Sequence, residues 1–351
     1  MAGLPFFYLR SARLRERTRP PSFGADLPVG DKGGAAIVKR NSTARTAQGD
    51  WPRDARLTQQ GLLKLELFPP PATLTSYITT FFRMRCDEHT IRDVQPSSIG
   101  VMAVMVRGSG NMRFLDGRVE PSHRFTLQTP TAAAATFEIA GPWHVFGAAL
   151  APLGWAALTG LCATRHGNRL YDGAQMLGPA LTEAAASVAE EFDSLSPDAM
   201  VGRLSAAVLA SLRPIRPIHA RFVRTVSEWL AQSITPDVAD LEVRCGYGLR
   251  QIQRLTDRYF GLPPTALARK YRALRAAVLL SRPDLTADQI AAVQDHFYDQ
   301  PHMIREIRLF AGRTPARIAD PDTPFLSAIM DLRNFREPGP RLAPIPDDLR
   351  A

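Results

Sequence analysis

The sequence predicts an α+β chain: a β-rich N-terminal module of barrel type, a helical hairpin, and an all-α C-terminal domain with two helix-turn-helix units. Three observations carry this. Between residues 62 and 150, short runs rich in β-branched, aromatic and other apolar residues alternate with Gly and Pro. After Pro152 the apolar residues recur at i, i+3 and i+4. In the last third, two helical patterns are each interrupted by a turn and closed by Gly and Pro.

A length of 351 residues allows two or three domains with a sizeable core. Apolar content of 45% and charged content of 22% are ordinary for a globular protein. No run approaches the roughly 18 apolar residues that cross a bilayer. The start, MAGLPFFYLRSARLRERTRPP, places its apolar stretch ahead of the arginines, the reverse of a secretory signal. A cytoplasmic protein with no membrane partner is expected. Cys86, Cys162 and Cys245 lie far apart without a CxxC pair, so neither a disulfide framework nor a cysteine metal site is expected.

Net charge is +9, a balance that favours polyanionic partners. Residues 1–60 hold 11 Lys/Arg against 5 Asp/Glu, residues 61–212 hold 11 against 13, and residues 213–320 hold 17 against 11. The basic charge thus lies in an N-terminal arm and a C-terminal domain, with a near-neutral module between them.

Residues 1–60, rich in Gly, Pro, Ser, Thr and Arg, are expected to be a disordered basic arm. Residues 61–165 are expected to form the β-rich module, a barrel of cupin-like kind. LLKLELF reads as a strand before three prolines, and SYITTFFRMRC as a helix end leading into a strand. IGVMAVMVRGSG and NMRFLDGRV read as a strand pair with Gly108 and Gly110 at its turn; HRFTLQTP and ATFEIAGPWHVFGAALAP add further short strands. GWAALTGL reads as a short helix. Residues 166–213 read as a hairpin of two helices, AQMLGPALTEAAASVAEEFDSL and DAMVGRLSAAVLASL, suited either to dimerisation or to packing on its own barrel. Residues 214–320 read as helical throughout, and 321–351 as a Pro-rich tail whose FLSAIMDLRNF piece is short enough to dock back.

The first helix-turn-helix unit is PDVADLEVRCGYGLRQIQRLTDRYFGLPP. Gly246 and Gly248 suit a tight turn, and the second helix runs from Leu249 to Phe260. On it Ile252, Leu255 and Tyr259 share one face; Arg250, Gln253 and Arg254 share another, continued by Asp257 and Arg258. Arg and Gln make the bidentate contacts to guanine and adenine edges in a DNA major groove, and the Glu and Lys typical of a merely solvated face are missing here. The second unit is LTADQIAAVQDHFYDQPHMIREIRLFAGRTPARI. Asp299 is its N-cap candidate, with Pro301 near the helix start. Met303, Ile307 and Phe310 form its apolar face, and Gln300, His302, Arg305 and Arg308 are left for the groove and the phosphates. Between the units TALARKYRALRAAVLLSRP reads as a stiff helical strut.

About 105 residues of this stretch resemble the DNA-binding domain of the AraC/XylS family of bacterial transcription regulators. The residues that carry the resemblance are Leu241, Gly246, Arg250, Ile252, Arg254, Gly261 and Pro264, then HFYDQPHMIREI and GRTP from His296 to Pro315. Glu242, Gly248, Thr256 and His296 depart from the family pattern: Glu242 and Thr256 in the packing of the first unit, Gly248 at its helix cap, and His296 where the family's turn has Gly. The resemblance implies two recognition helices in successive major grooves of one operator, about 34 Å apart. It places base contacts at Arg250, Gln253, Arg254, Gln300, Pro301, His302 and Arg305. It implies double-stranded DNA and RNA polymerase as partners, with a small-molecule effector and a homodimer as further expectations, and leaves the sign of regulation open.

HVFGAALAPLGWAALTGL also resembles the end of the β module in one group of such regulators. Phe81, Phe82, Met102, Met105, Phe137, Trp143 and Phe146 are expected inside the barrel, either as plain core or around a small apolar or aromatic effector. His89, His123 and His144 lack ligand spacing, so no metal and no cofactor is expected. No GxSxG, P-loop, HExxH or strand-linked GxGxxG occurs, so an enzyme is not expected. The alternatives are an architectural DNA-binding protein and an enzyme-fused regulator.

Overall fold

The computed structural model describes residues 63–282, 285–320 and 322–331. The basic arm expected at 1–60 and the Pro-rich end of the tail lie outside the described residues. Eight strands form one antiparallel sheet: β1 (Leu63–Phe68), β2 (Ile78–Cys86), β3 (Thr90–Gln95), β4 (Gly100–Arg113), β5 (Val119–Pro121), β6 (Phe125–Gln128), β7 (Ala135–Leu150) and β8 (Leu170–Asp172). The order is β1-β2-β7-β4-β6-β8, with β3 added to β7 and β5 to β4. This path does not close on itself among the described residues.

The 16 residues of β7 and the 14 of β4 make the spine. The first part of β7 pairs with β3 and the far end of β4; its second part pairs with β2 and the near end of β4. Glycine makes room where the two strands change partners. Gly108 has φ +81, and a Cβ there would meet the Pro142 carbonyl at 2.5 Å; one at Gly110 would meet the Glu138 carbonyl at 2.0 Å. A hairpin turn was predicted at these glycines. They lie instead within β4, beside register shifts between Met105 and Ser109, and the turn falls at 115–117. A glycine inside a strand marks a bulge or a close backbone approach as well as it marks a turn.

Alternate residues face opposite sides of the sheet. Phe81, Met102, Val104, Phe146 and Ala148 pack under α1 (Pro152–Thr159), α4 (Pro179–Glu190) and α5 (Pro197–Ser211). Met84, Met105, Phe137, Trp143 and Val145 point to the other side. The long helix predicted from 174 to 195 is divided: Gly178, with φ +86, separates a single turn α3 (Gly173–Met176) from α4. The α4–α5 hairpin spends its apolar face on its own sheet through Leu181, Ala185, Val188, Leu204 and Val208. A short α2 (Ala163–His166) precedes β8.

The helical lobe comprises α6 (Pro217–Gln232), α7 (Val238–Cys245), α8 (Leu249–Phe260), α9 (Pro264–Leu280), α10 (Ala287–Gln294), α11 (Gln300–Ala311), α12 (Pro315–Ile318) and α13 (Pro324–Met330). It has two cores. Phe222, Trp229, Leu241, Ile252, Leu255 and Tyr259 build the first, and Val293, Met303, Ile307, Phe310 and Ile318 build the second. α9 serves both: Leu267 and Tyr271 enter the first core, Leu274 and Val278 the second. Arg275 on α9 is fully buried and donates to the backbone carbonyls of Leu230 and Ser233, which ties the strut to the end of α6. No described helix is long and apolar enough to cross a membrane.

Candidate nucleic-acid interface

α7 starts at Asp237, whose carboxylate accepts the Ala239 N–H at 3.0 Å, and ends at Gly246 in the left-handed region. α8 starts at Gly248 without a side-chain cap and ends at Gly261, φ +81. Replacing a Ser cap by Gly costs only a few tenths of a kcal/mol. The apolar face of α8 is buried as predicted, and Arg250, Gln253, Arg254 and Arg258 are all exposed, joined by Gln251. Thr256 does not loosen the packing. It is fully buried, and its hydroxyl donates back to the Ile252 and Gln253 carbonyls at 3.0 Å. Positive potential gathers around α8. His219 on α6, 2.7 Å from the Tyr259 hydroxyl, is held below the usual imidazole range by burial and then by Arg216, Arg258 and Arg254.

In the second unit a reciprocal pair of bonds between Thr286 and Gln289 caps α10. The turn after it needs no glycine. Among the described residues only Asn168 is a non-glycine with positive φ, so His296 makes the turn in ordinary backbone space. α10 simply tightens, with Phe297 N–H donating to the Gln294 carbonyl at 2.9 Å. Asp299 caps α11 by accepting the His302 N–H at 2.6 Å. Gln300, Pro301 and Arg305 are exposed, and Arg308 is half-buried. Tyr298, which sequence reasoning left without a role, is 92% exposed just ahead of the cap. Its signal was its place between Phe297, which is buried, and the capping Asp299.

His302 is placed differently from its neighbours. Its Nε2 lies 3.1 Å from Glu306 Oε1, and its Nδ1 is buried. Glu306 is 2% exposed and also receives Arg269 and Arg272 of α9, each at 2.6 Å. Burial works to raise the Glu306 pKa; hydrogen bonds from Arg272 and Arg269 outweigh it and hold the carboxyl below its ordinary range. The cluster clamps α11 to the strut and draws the His302 ring inward.

The sheet and the helical lobe meet in a seam that sequence reasoning missed. Ser97 N–H donates to the Phe310 carbonyl at 2.8 Å, and Ala134 N–H to the Leu309 carbonyl at 2.9 Å, so loops of the sheet cap the end of α11. Lys270 of α9 is 2% exposed and donates to the Ser98 and Thr131 carbonyls at 3.1 and 3.2 Å. Burial pushes its amine down to about 7. Asp93 of β3 is 2% exposed and accepts the Phe325 and Leu326 N–H groups at the start of α13. Burial pushes its carboxyl up to about 7 against those bonds. On the first unit, Thr164 donates to the Asp257 carbonyl of α8 at 2.7 Å.

Two turn-linked helix pairs, each ending in an exposed Arg/Gln-bearing helix and sharing one strut, match the family model of a helix-turn-helix domain over residues 241–320. The chain carries an AraC-type helix-turn-helix domain. This type of domain is the DNA-binding part of transcription regulators. The AraC-type domain here begins at Leu241, inside α7, and ends at Asp320, just beyond α12. No curated relative matches the chain. Among solved structures it is similar to ToxT from Vibrio cholerae, at 9% identity and TM-score 0.41 over 75% of this chain and 98% of that one. It is also similar to the AraC-like transcriptional activator CuxR, at 11% identity and TM-score 0.28 over 61% of this chain and 86% of that one.

Beside the AraC-type domain, the sheet holds a cavity of about 100 Å³ with an almost wholly apolar wall. Of the seven residues expected inside the barrel, Phe82, Met105, Phe137 and Trp143 line it. Phe81, Met102 and Phe146 lie on the opposite face, under the helices, because strand alternation puts them there. The three histidines are not brought together as a site. His144 pairs with Asp87 at 2.7 Å and stacks on Phe192, and no described group of three or more His, Cys, Asp or Glu is placed to hold a metal.

Proposed function

We propose that the protein is a sequence-specific transcription regulator that lays α8 and α11 in successive major grooves of one DNA site, about one helical turn apart. The observation that carries this is the shared strut: α9 lies in the cores of both units, so the two exposed helices are held at fixed separation. In this proposal Arg250, Gln253 and Arg254 read bases from α8, and Gln300, Pro301 and Arg305 from α11. Arg258 and Arg308 meet phosphates. His302, drawn toward Glu306, orients α11 more than it reads sequence. A small effector occupies the cavity of the sheet. Contact with RNA polymerase and pairing of two copies belong to the same proposal and follow from the family resemblance.

Selection of bound DNA from a random pool, followed by footprinting at moderate salt, tests it. The expected result is a defined protected tract of about 20 base pairs. One or two copies of the recovered motif give the stoichiometry. Uniform weak protection without a preferred site overturns the proposal and indicates an architectural protein bound through backbone and shape.

A further inference from the structure

α13 follows the AraC-type domain and returns to the sheet, where Phe325 enters the cavity wall beside Phe137 and Trp143. Its ring stands edge-on to Phe137, with centroids 5.2 Å apart, and 5.6 Å from Trp143. The next residue, Leu326, is fully buried in the core of the second helix-turn-helix unit, as is Met330. Ile329 packs against both that core and the cavity side of the sheet. One short helix therefore has its side chains divided between the hollow of the sheet and the support of α11. It is pinned by two N–H bonds to Asp93, at 2.7 and 3.2 Å.

The cavity itself is small. About 150 Å³ is enough for benzene in an apolar site, and only about 100 Å³ is open here. A ring fits if the Phe325 side chain leaves. The polar groups in the wall, among them Gln95, Asn111, Ser122 and Gln128, are all uncharged. Burying an ion without a partner is costly, so such a wall selects a neutral ligand. We propose that Phe325 is an internal occupant of this cavity. A neutral aromatic molecule with a single hydrogen-bonding group takes its place and unseats α13 from the second helix-turn-helix unit. The proposal rests on the effector site put forward above and names its ligand class and its route to the DNA-binding helices.

The test uses the full chain and benzyl alcohol as the probe. Phe325→Ala empties the ring site, so it binds benzyl alcohol at least tenfold more tightly than the wild type, and the alcohol restores thermal stability that the substitution removes. Phe325→Leu, which keeps apolar bulk, serves where the alanine variant folds poorly, and shows a smaller gain in affinity. In the wild type, saturating benzyl alcohol accelerates amide hydrogen exchange at Phe325 and Leu326. Equal affinity in wild type and both variants overturns the proposal, as does binding that leaves those two amides protected. DNA affinity with and without the alcohol is read separately. If α13 is released but DNA affinity does not change, the plug stands and the effector role fails. If DNA affinity changes while α13 stays protected, the effector role stands and the plug fails.

Discussion

The two helix-turn-helix units share a strut and differ in how they are held. The first meets the short helices beside the sheet: Leu153 and Ala156 of α1 pack against its core and Thr164 of α2 donates to the Asp257 carbonyl, while α8 keeps a long open face of Arg and Gln. The second is held at several points at once: the Glu306 cluster behind it, sheet loops on its last carbonyls, and α13 beneath its core. The main-chain bonds at the end of α11 tie the second unit to the sheet loops themselves. Both units are thus anchored, the first against short helices beside the sheet and the second against the loops of the sheet itself.

Glycine substitutions test this contrast most severely. Gly246 and Gly312 both close helices with positive φ, +62 and +87. A Cβ at Gly246 meets nothing within 4 Å, whereas one at Gly312 would lie 2.3 Å from Val94 Cγ1. Gly246→Ala should cost only the left-handed backbone penalty, about 1–2 kcal/mol. Gly312→Ala adds overpacking against the sheet and should cost about 2–5 kcal/mol. Urea unfolding of the two variants measures the difference; equal losses would mean that the seam contributes nothing at this point.

Next in size are the base-reading substitutions. Arg254→Ala and Arg305→Ala should each lower affinity for the selected site by about 1–3 kcal/mol while leaving random DNA nearly unaffected. Competition binding against the two DNAs measures this, and equal weakening of both would remove base reading from that helix. Asp93→Asn probes the seam through pH. Its carboxyl titrates near 7 when folded and near 3.8 when unfolded. Between those values the folded state holds a proton that the unfolded chain has released, so the group's stabilisation falls as pH rises. The stability advantage of wild type over Asp93→Asn should shrink from pH 4 to pH 7 in thermal unfolding. An advantage that grows over that window would show a carboxylate kept ionised by its N–H donors. The smallest effect belongs to Arg308→Ala, which should reduce the salt slope of DNA binding by about 1 and weaken all sequences alike.

The helical lobe was legible because its signals are local. A 3.6-residue period, a capping Asp at 299 and glycines at 246, 261 and 312 each act within a few residues of themselves. The exposed faces of α8 and α11 followed from the same period. The sheet was less legible, because glycine inside a long bent strand and glycine at a turn look alike in one dimension, as at Gly108 and Gly110. Lys270 and Asp93 were invisible for a further reason. A buried charge is tolerable only beside particular carbonyls or N–H groups, and those lie far away in sequence. His302 was assigned to the groove from its position on the helix. Glu306 stands four residues on, a spacing that already put the pair on one face. What the sequence did not announce is that Arg269 and Arg272 of α9 bury that carboxylate.

The bonds that carry the sheet loops onto the end of α11 run from main chain to main chain. No exchange of side chains at positions 97, 134, 309 or 310 deletes such a bond; only proline at 97 or 134 removes a donor. At this point the join between the lobes is written in backbone, while Lys270, Asp93 and Thr164 fasten it through side chains elsewhere. An alanine scan across the seam would register those side chains and pass over the two main-chain bonds at the end of α11.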